Sequence, residues 1–309
     1  MIAYIVQRLL WLPVLLLAVT LVTLALGLYG PGDPVEVLMG QHRNPEVVAR
    51  IKRERGLDQP FPVQFANYVR RALHGDFGES FKYRGRPVGE LIAKRLWVTI
   101  QLNLVAVTFG IVVGIPLGIM AALKRNTWLD HLTVAGAVAG IAVPVIAISP
   151  ILLYIFARQL RVLPPGGWGG VFSTKIILPA FVLSLGPLAI LTRQTRVGLI
   201  EVMQQDYIRT ARAKGLLERM VILRHALRAA LIPILTIVGL MLGSLVGGSL
   251  FTEIIFGIPG IGRLGFEAFS SRDYPVIMAL TLIVAISYVI ANLLVDVLYR
   301  FVDPRIRYG

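Results

Sequence analysis

QQDYIRTARAKGLLERMVILRHALRAALIP, residues 204–233, is the longest polar interruption in the C-terminal two-thirds of an otherwise apolar chain. It reads as two helices meeting at an angle. Asp206 is placed to cap a short helix over 207–214, Gly215 suits a left-handed C-terminal position, and a second helical segment runs from Leu217 into the apolar run beyond. What such a stretch does depends on what surrounds it.

The surroundings are those of a membrane protein. Of 309 residues 56% are hydrophobic and only 16% charged, and the mean hydropathy is +0.74, which leaves too little polar surface to wrap a soluble core. A formal charge of +14 would suggest nucleic acid in a soluble chain, but no basic run interleaves with aromatics and no nucleic-acid module is present. The excess records topology instead. With no cysteine, disulfides, thiolate metal sites and thiol nucleophiles are excluded.

Six apolar runs, at 9–28, 96–123, 133–156, 176–191, 231–256 and 276–301, bracket the roughly 20 residues that cross a bilayer. The run at 176–191 is short and contains Pro179 and Pro187. The first follows Arg8 but exceeds the about 7–15 residues of a signal h-region, so it reads as a retained span. The expected fold is an all-α polytopic protein with six transmembrane helices. Its parts are a first span with its N-terminus (1–29), a small extracytoplasmic helical lobe (30–95), a five-helix core (96–302) that includes a cytoplasmic loop (193–230), and a cytoplasmic tail (303–309). Within the lobe, Gly30-Pro31-Gly32-Asp33-Pro34 marks a turn; Asn44, Pro45 and Glu46 start a helix that Gly56 ends; Pro62 starts another that stops at Gly75.

Lysine and arginine set the orientation. A cytoplasmic N-terminus collects Arg8, Lys124, Arg125, Arg193, Arg196, Arg209, Arg212, Lys214, Arg219, Arg224, Arg228, Arg300, Arg305 and Arg307 on that side, against Arg158, Arg161, Lys175, Arg263 and Arg272 in the short outer loops. Both termini and the 204–233 stretch are therefore expected in the cytoplasm. There the short helix has two readings. Tyr207, Ile208, Ala211, Thr210 and Gly215 form a surface that fits a groove on another protein, ringed by Arg209, Arg212 and Lys214; or the helix lies on anionic headgroups.

Small residues recur every fourth position, at Gly110, Gly114 and Gly118, at Gly136 and Gly140, and at Gly239, Gly243 and Gly247, which reads as helix packing within one subunit. Pro116, Pro144, Pro150, Pro179, Pro187 and Pro233 each permit a kink. Glu253, near the outer end of the fifth run, has a gate or receptor-contact reading and an equally weighted structural one, paired with Arg263 or Arg272. Asp296 stands one turn before Arg300 and reads as a structural pair. His42, His74, His131 and His225 show no ligand spacing, and no metal site, Ser/His/Asp arrangement or nucleophile elbow emerges. Gly166-Gly167-Trp168-Gly169-Gly170 lacks the lysine of a phosphate cradle, and no Gly-x-x-x-x-Gly-Lys-Ser/Thr exists in the chain.

Asp206-Tyr207-Ile208-Arg209-Thr210-Ala211-Arg212-Ala213-Lys214-Gly215, with His225-Ala226-Leu227-Arg228 and Leu231-Ile232-Pro233, resembles the cytoplasmic coupling loop of ABC importer permeases of the dipeptide/oligopeptide branch, where Arg-Thr-Ala replaces Glu-Ala-Ala. Further matches to the B-type subunit span the chain: Gly32-Asp33-Pro34, Gly56-Leu57-Asp58-Gln59-Pro60, His74-Gly75-Asp76-Phe77-Gly78, Gly248 with Glu253, Pro259-Gly260-Ile261-Gly262-Arg263, Arg272-Asp273-Tyr274-Pro275-Val276, Asn292-Leu293-Leu294-Val295-Asp296 and Asp303-Pro304-Arg305-Ile306-Arg307. Ala229 departs from the pattern, which commonly has Asn there.

The resemblance implies a type I importer permease in a bacterial or archaeal cytoplasmic membrane. It pairs with a homologous second permease, takes substrate from an extracytoplasmic binding protein, and is driven by two cytoplasmic ATPases that carry the ATP and Mg; this chain holds no cofactor and is not itself an enzyme. Asp206, Tyr207, Arg209, Thr210, Ala211, Arg212, Lys214, Gly215, His225 and Arg228 would form the coupling loop. Glu253, Pro259, Gly260, Arg263 and Asp273 would serve the outer gate or the receptor contact. Di- and oligopeptides are the expected substrates, with glutathione or a nickel complex as alternatives on the same machinery. An ion-coupled secondary transporter is the rival from another class, but the lobe after the first run has no counterpart after the fourth, as an inverted repeat would need. A membrane-embedded enzyme lacks any catalytic constellation.

Overall fold

The computed structural model describes residues 2–29, 45–54, 56–247 and 249–302, with their side chains except those of 2–9, 51, 54 and 294–302. The turn at 30–34, the Asn44 cap, Gly248, the Asp296–Arg300 pair and the tail at 303–307 lie outside this description. The named elements are helices. In the first third these are α1 (Ile2–Tyr29), α2 (Pro45–Glu54), α3 (Phe61–Leu73) and α4 (Val88–Leu123). Next come α5 (Trp128–Ala142), α6 (Val145–Leu152, followed by a wide π turn, Leu153–Gln159), α7 (Ile177–Met203) and α8 (Asp206–Ala213). The chain continues through α9 (Glu218–Gly243), α10 (Leu250–Ile255), α11 (Ile261–Ser270) and α12 (Tyr274–Val302). Among the described residues five helices are long and apolar enough to cross a membrane, and α5 with the segment Val145–Gln159 makes a sixth crossing if that bent pair is one span.

The chain divides into two compact units, Met1–Thr99 with Pro259–Ile290 and Ile100–Ile258 with Ala291–Gly309. In the first, Pro45 opens α2 and Gly56 takes φ +65° just beyond its end. Pro62 lies in the first turn of α3, and Gly75 closes it at φ +76°. α3 does not stand alone in water: Tyr68 is buried with Leu24 of α1 and with Met278 and Leu282 of α12, and Phe61, Phe65 and Phe77 pack around them. A leucine or methionine fully withdrawn from water contributes about 1.5–3 kcal/mol, so apolar packing on long helices holds α3.

In the second unit the glycine spacing of α4 becomes an interlock with α7. A Cβ on Gly110 would lie 2.8 Å from Pro187 Cβ, one on Gly114 2.8 Å from the Leu188 carbonyl, and one on Gly118 2.5 Å from the Thr192 carbonyl. Gly140 brings α5 onto α7 at Leu185 and Ala189, and Gly243 meets Ala291; a Cβ on Gly136 or Gly247 would meet no atom within 4 Å.

Four expected runs change shape. The second begins at Val88 and not at Leu96, so eight residues assigned to the lobe belong to a spanning helix. The third breaks at Val143–Pro144, where α5 and the Val145–Gln159 segment diverge by 102°. Proline has no N–H to continue the ladder and forces the residue before it out of helix, and Val143 is accordingly extended at φ −86°, ψ 117°. The fourth does not stop at Leu191 but runs to Met203, carrying Arg193 and Arg196 within a helix. The fifth ends at Gly243 and resumes as α10. Asn103 of α4 donates to the Leu245 carbonyl at 2.8 Å, satisfying an acceptor that the break releases.

Gly118→Ala should therefore destabilise the protein by about 1–3 kcal/mol through overpacking, whereas Gly136→Ala should be neutral or slightly stabilising. Thermal unfolding of the two variants in lipid nanodiscs checks the contrast; equal effects would contradict the interlock.

Candidate functional site

Eight residues are too few for a helix to persist alone in water, so α8 needs an anchor. Ile208 and Ala211, three apart on one face, supply it. They are 0% and 7% exposed and pack on Leu199 of α7 and on Val221, Ala226 and Ala230 of α9, with Ile119 and Ala122 of α4 alongside. The sequence reading sets both on the partner-facing surface, and the structure turns them inward. They are the apolar pair of an amphipathic helix, and an apolar seat formed by three longer helices lies directly beneath them.

The ends of α8 follow from local chemistry. Gln205 is the N-cap residue, one position earlier than expected. Asp206 is the first helical residue instead, 3.6 Å from Arg209 in an exposed pair that adds little stability. At the other end the Leu216 N–H donates to the Ala211 carbonyl and the Gly215 N–H to that of Arg212, with Gly215 at φ +76°. This is the Schellman termination, completed by Leu216 packing back on the same apolar cluster. No atom lies within 4 Å of a Cβ built on Gly215, so its backbone angle, not lack of space, is what demands glycine.

Tyr207, Arg209, Thr210, Ala213 and Lys214 point away from the chain, Tyr207 at 47% exposure. Arg212 folds back over the turn and donates to Glu218 through Nε at 3.1 Å and a terminal nitrogen at 2.6 Å, tying α8 to the start of α9. Ala122, Arg125, Ile200, Met203 and the Arg212–Glu218 pair line a cavity of about 420 Å³ beside it. After a first α turn, Glu218–Met220, α9 widens into a π turn, Val221–Ala226, in which His225 is half-buried; Arg228, just beyond, is exposed.

One turn before Leu199, Arg196 on α7 forms a two-pronged pair with Asp130 in the first turn of α5, at 2.5 and 2.8 Å. Asp130 is 1% exposed and also accepts from the Asn126 N–H at 3.0 Å.

The residues expected at the outer gate each have their own surroundings. Glu253 is fully buried and accepts from Ser249 at 2.7 Å, and Asn103 reaches the same hydroxyl at 3.3 Å. Pro259 is exposed, and Gly260 is the N-cap residue of α11. Asp273 is 1% exposed, its carboxylate taken up by the Ser80 hydroxyl and by the Phe81 and Lys82 N–H groups, so it offers no surface to a receptor. Arg263 donates to Glu267 at 2.9 Å, and Glu267 also receives Tyr83 Oη at 2.7 Å and Arg95 at 3.2 Å.

Residues 114–308 match the family described as binding-protein-dependent transport system inner membrane component, and residues 1–103 match the N-terminal membrane component of such systems. The chain belongs to that family. It is 41% identical over 312 residues to a glutathione transport system permease protein of Salmonella typhimurium. It is 39% identical over 334 residues to a dipeptide transport system permease protein of Alkalihalophilus pseudofirmus. Each alignment covers 100% of both chains. Among solved structures, the MetNI methionine ABC transporter in an inward-facing form aligns with TM-score 0.58 at 19% identity, over 69% of this chain and 96% of that one. An amino acid ABC transporter aligns at 0.53 and 17%, over 69% and 94%. At these identities the likeness shows the fold, that of type I importer permeases. The chain is thus a multi-pass inner-membrane permease of the ABC importer class, and the ion-coupled alternative is set aside.

Four residues of this permease that the sequence reading passed over hold its geometry: Asp130, Asn103, Ser80 and Glu267. Only Glu267 left a legible sign, its i+4 spacing from Arg263; the others meet partners from 66 to 193 residues away. Burial pushes the Glu267 carboxyl up, but the hydrogen bonds from Tyr83, Arg263 and Arg95 outweigh it and hold the group below its ordinary 4.5. A depressed carboxylate contributes stability that is complete above the unfolded value and lost as pH falls through the lower folded one. Thermal unfolding should therefore drop with acidification below about pH 4.5. Glu267→Gln should cost about 1–3 kcal/mol at neutral pH and flatten that acid limb; an unchanged acid limb would contradict the assignment.

Proposed function

We propose that this permease forms half of an import pathway for small peptides, and that the outward face of α8 is the surface a cytoplasmic ATPase grips. The carrying observation is the division of α8 into two faces. Ile208 and Ala211 bind it to its own chain, while Tyr207, Arg209, Thr210 and Lys214 are directed outward with no apolar work inside the chain. A helix so held transmits displacement to α4, α7 and α9 without first unfolding. The other half of the pathway is a homologous permease. ATP and Mg are held by two ATPase subunits, since no phosphate-binding loop occurs in this sequence, and this chain performs no catalysis.

The lysine and arginine asymmetry supports cytoplasmic termini and a cytoplasmic α8, with residues 30–95 as the extracytoplasmic lobe that meets the binding protein. Full-length similarity to dipeptide and glutathione permeases supports peptides as the substrate class. Glutathione, itself a tripeptide, is favoured as a second reading by the Salmonella relative. Pro259 and Arg263 are the outer residues best placed for a receptor. Glu253 and Asp273 act from inside the fold.

Tyr207→Ala should weaken association with the ATPases about tenfold and reduce substrate-stimulated ATP hydrolysis while leaving the permease's own unfolding temperature unchanged. Ala211→Trp should instead destabilise the permease itself, because its side chain enters the α7–α9 seat. ATP-driven uptake of a labelled dipeptide, assayed in proteoliposomes holding the complete transporter, reads the outcome; full coupling in Tyr207→Ala would sink the docking face.

A further inference from the structure

Resting on that reading, we propose that Asp130 and Arg196 are positioning residues of the transport cycle, a latch that passes displacement of α8 to α5 and so to the bend at Val143–Pro144. α8 sits on Leu199, Val202 and Met203 of α7, and Arg196 lies on that helix one turn before Leu199. From there its guanidinium reaches the first turn of α5. α5 then runs against α7 through Gly140 and ends at a 102° corner.

Apolar contacts between packed helices permit sliding. A two-pronged arginine–carboxylate pair fixes direction as well as distance, and here one carboxylate oxygen is also held by the Asn126 N–H at 3.0 Å. Asn126 itself takes φ +63°, so the loop between α4 and α5 is bent to present that donor. At the same level Gly118 brings α4 onto Thr192 and Thr195 of α7. Three helices are thus locked together directly above the α8 seat, and beyond the lock the next place the chain can yield is the Val143–Pro144 break. A carboxylate left 1% exposed is costly if its only task is to fill space; fixing the angle between α5 and α7 is a task that apolar packing performs poorly.

The test uses the complete transporter in proteoliposomes and measures peptide taken up per ATP hydrolysed, with loaded binding protein present. A merely structural role would reduce the amount of working complex, lowering both rates and leaving their ratio unchanged. The variants are Arg196→Lys, which keeps the charge but loses the fork, and the double variant Asp130→Asn with Arg196→Gln, which removes both charges together so that none is left buried and unpaired. The ratio should fall at least about fivefold in the double variant and by less in Arg196→Lys, while ATP hydrolysis continues. A parental ratio in both variants overturns the latch. If the parent transporter itself shows no ATP-driven uptake, the proposed function fails and the latch with it; a coupled parent with coupled variants removes the latch alone.

Discussion

The burial of Ile208 and Ala211 is the contact on which the proposed role of α8 as a transmission part depends. Without it, residues 206–213 would be a short charged segment with no reason to be helical, and a partner that gripped it would pull on slack chain. With it, the segment is fastened to α4, α7 and α9 at once. Burial of one isoleucine is worth only about 1.5–3 kcal/mol, yet it converts a loop into a rigid handle, because the Gly215 turn and the Arg212–Glu218 pair then fix the handle's angle as well as its position.

The rest of the second unit extends that rigidity. Glycines at 110, 114 and 118 let the α4 and α7 backbones approach until no methyl group would fit between them. Among the described residues two of the expected apolar runs are broken, one at Val143–Pro144 and one after Gly243, and beyond Gly243 the Leu245 carbonyl is taken by Asn103. A bundle that is stiff along most of its length and broken at defined points is suited to turning a push at one end into a reorientation at the other. In the first unit two carboxylates do comparable work: buried Asp273 gathers three donors from residues 80–82, and half-buried Glu267 gathers a tyrosine and two arginines.

Much of this was legible from residue order. Hydropathy alone gave the membrane class, and Pro45, Gly56, Pro62 and Gly75 delimited the lobe helices, because proline and glycine act through local backbone geometry. Gly215 was legible for the same reason. What the sequence hid was direction and distance. The composition of α8 names its apolar residues but not which neighbour receives them, so Ile208 and Ala211 pointed outward on paper and inward in the fold. Asp130 and Arg196 are separated by 66 positions, and charge counting saw Arg196 only as one basic residue on the cytoplasmic side. The end of the fourth run was misplaced because Arg193 and Arg196 end the apolar stretch without ending the helix.

The two-faced character of α8 is most directly tested by thiol reactivity, since the chain contains no cysteine of its own. Ile208→Cys and Thr210→Cys would each be alkylated in inside-out membrane vesicles, with the ATPase subunits absent and then restored. Thr210→Cys should react rapidly in the permease alone and become protected when the ATPases bind, while Ile208→Cys should stay unreactive in both states. Rapid labelling of Ile208→Cys, or labelling of Thr210→Cys that is indifferent to the ATPases, would contradict the account.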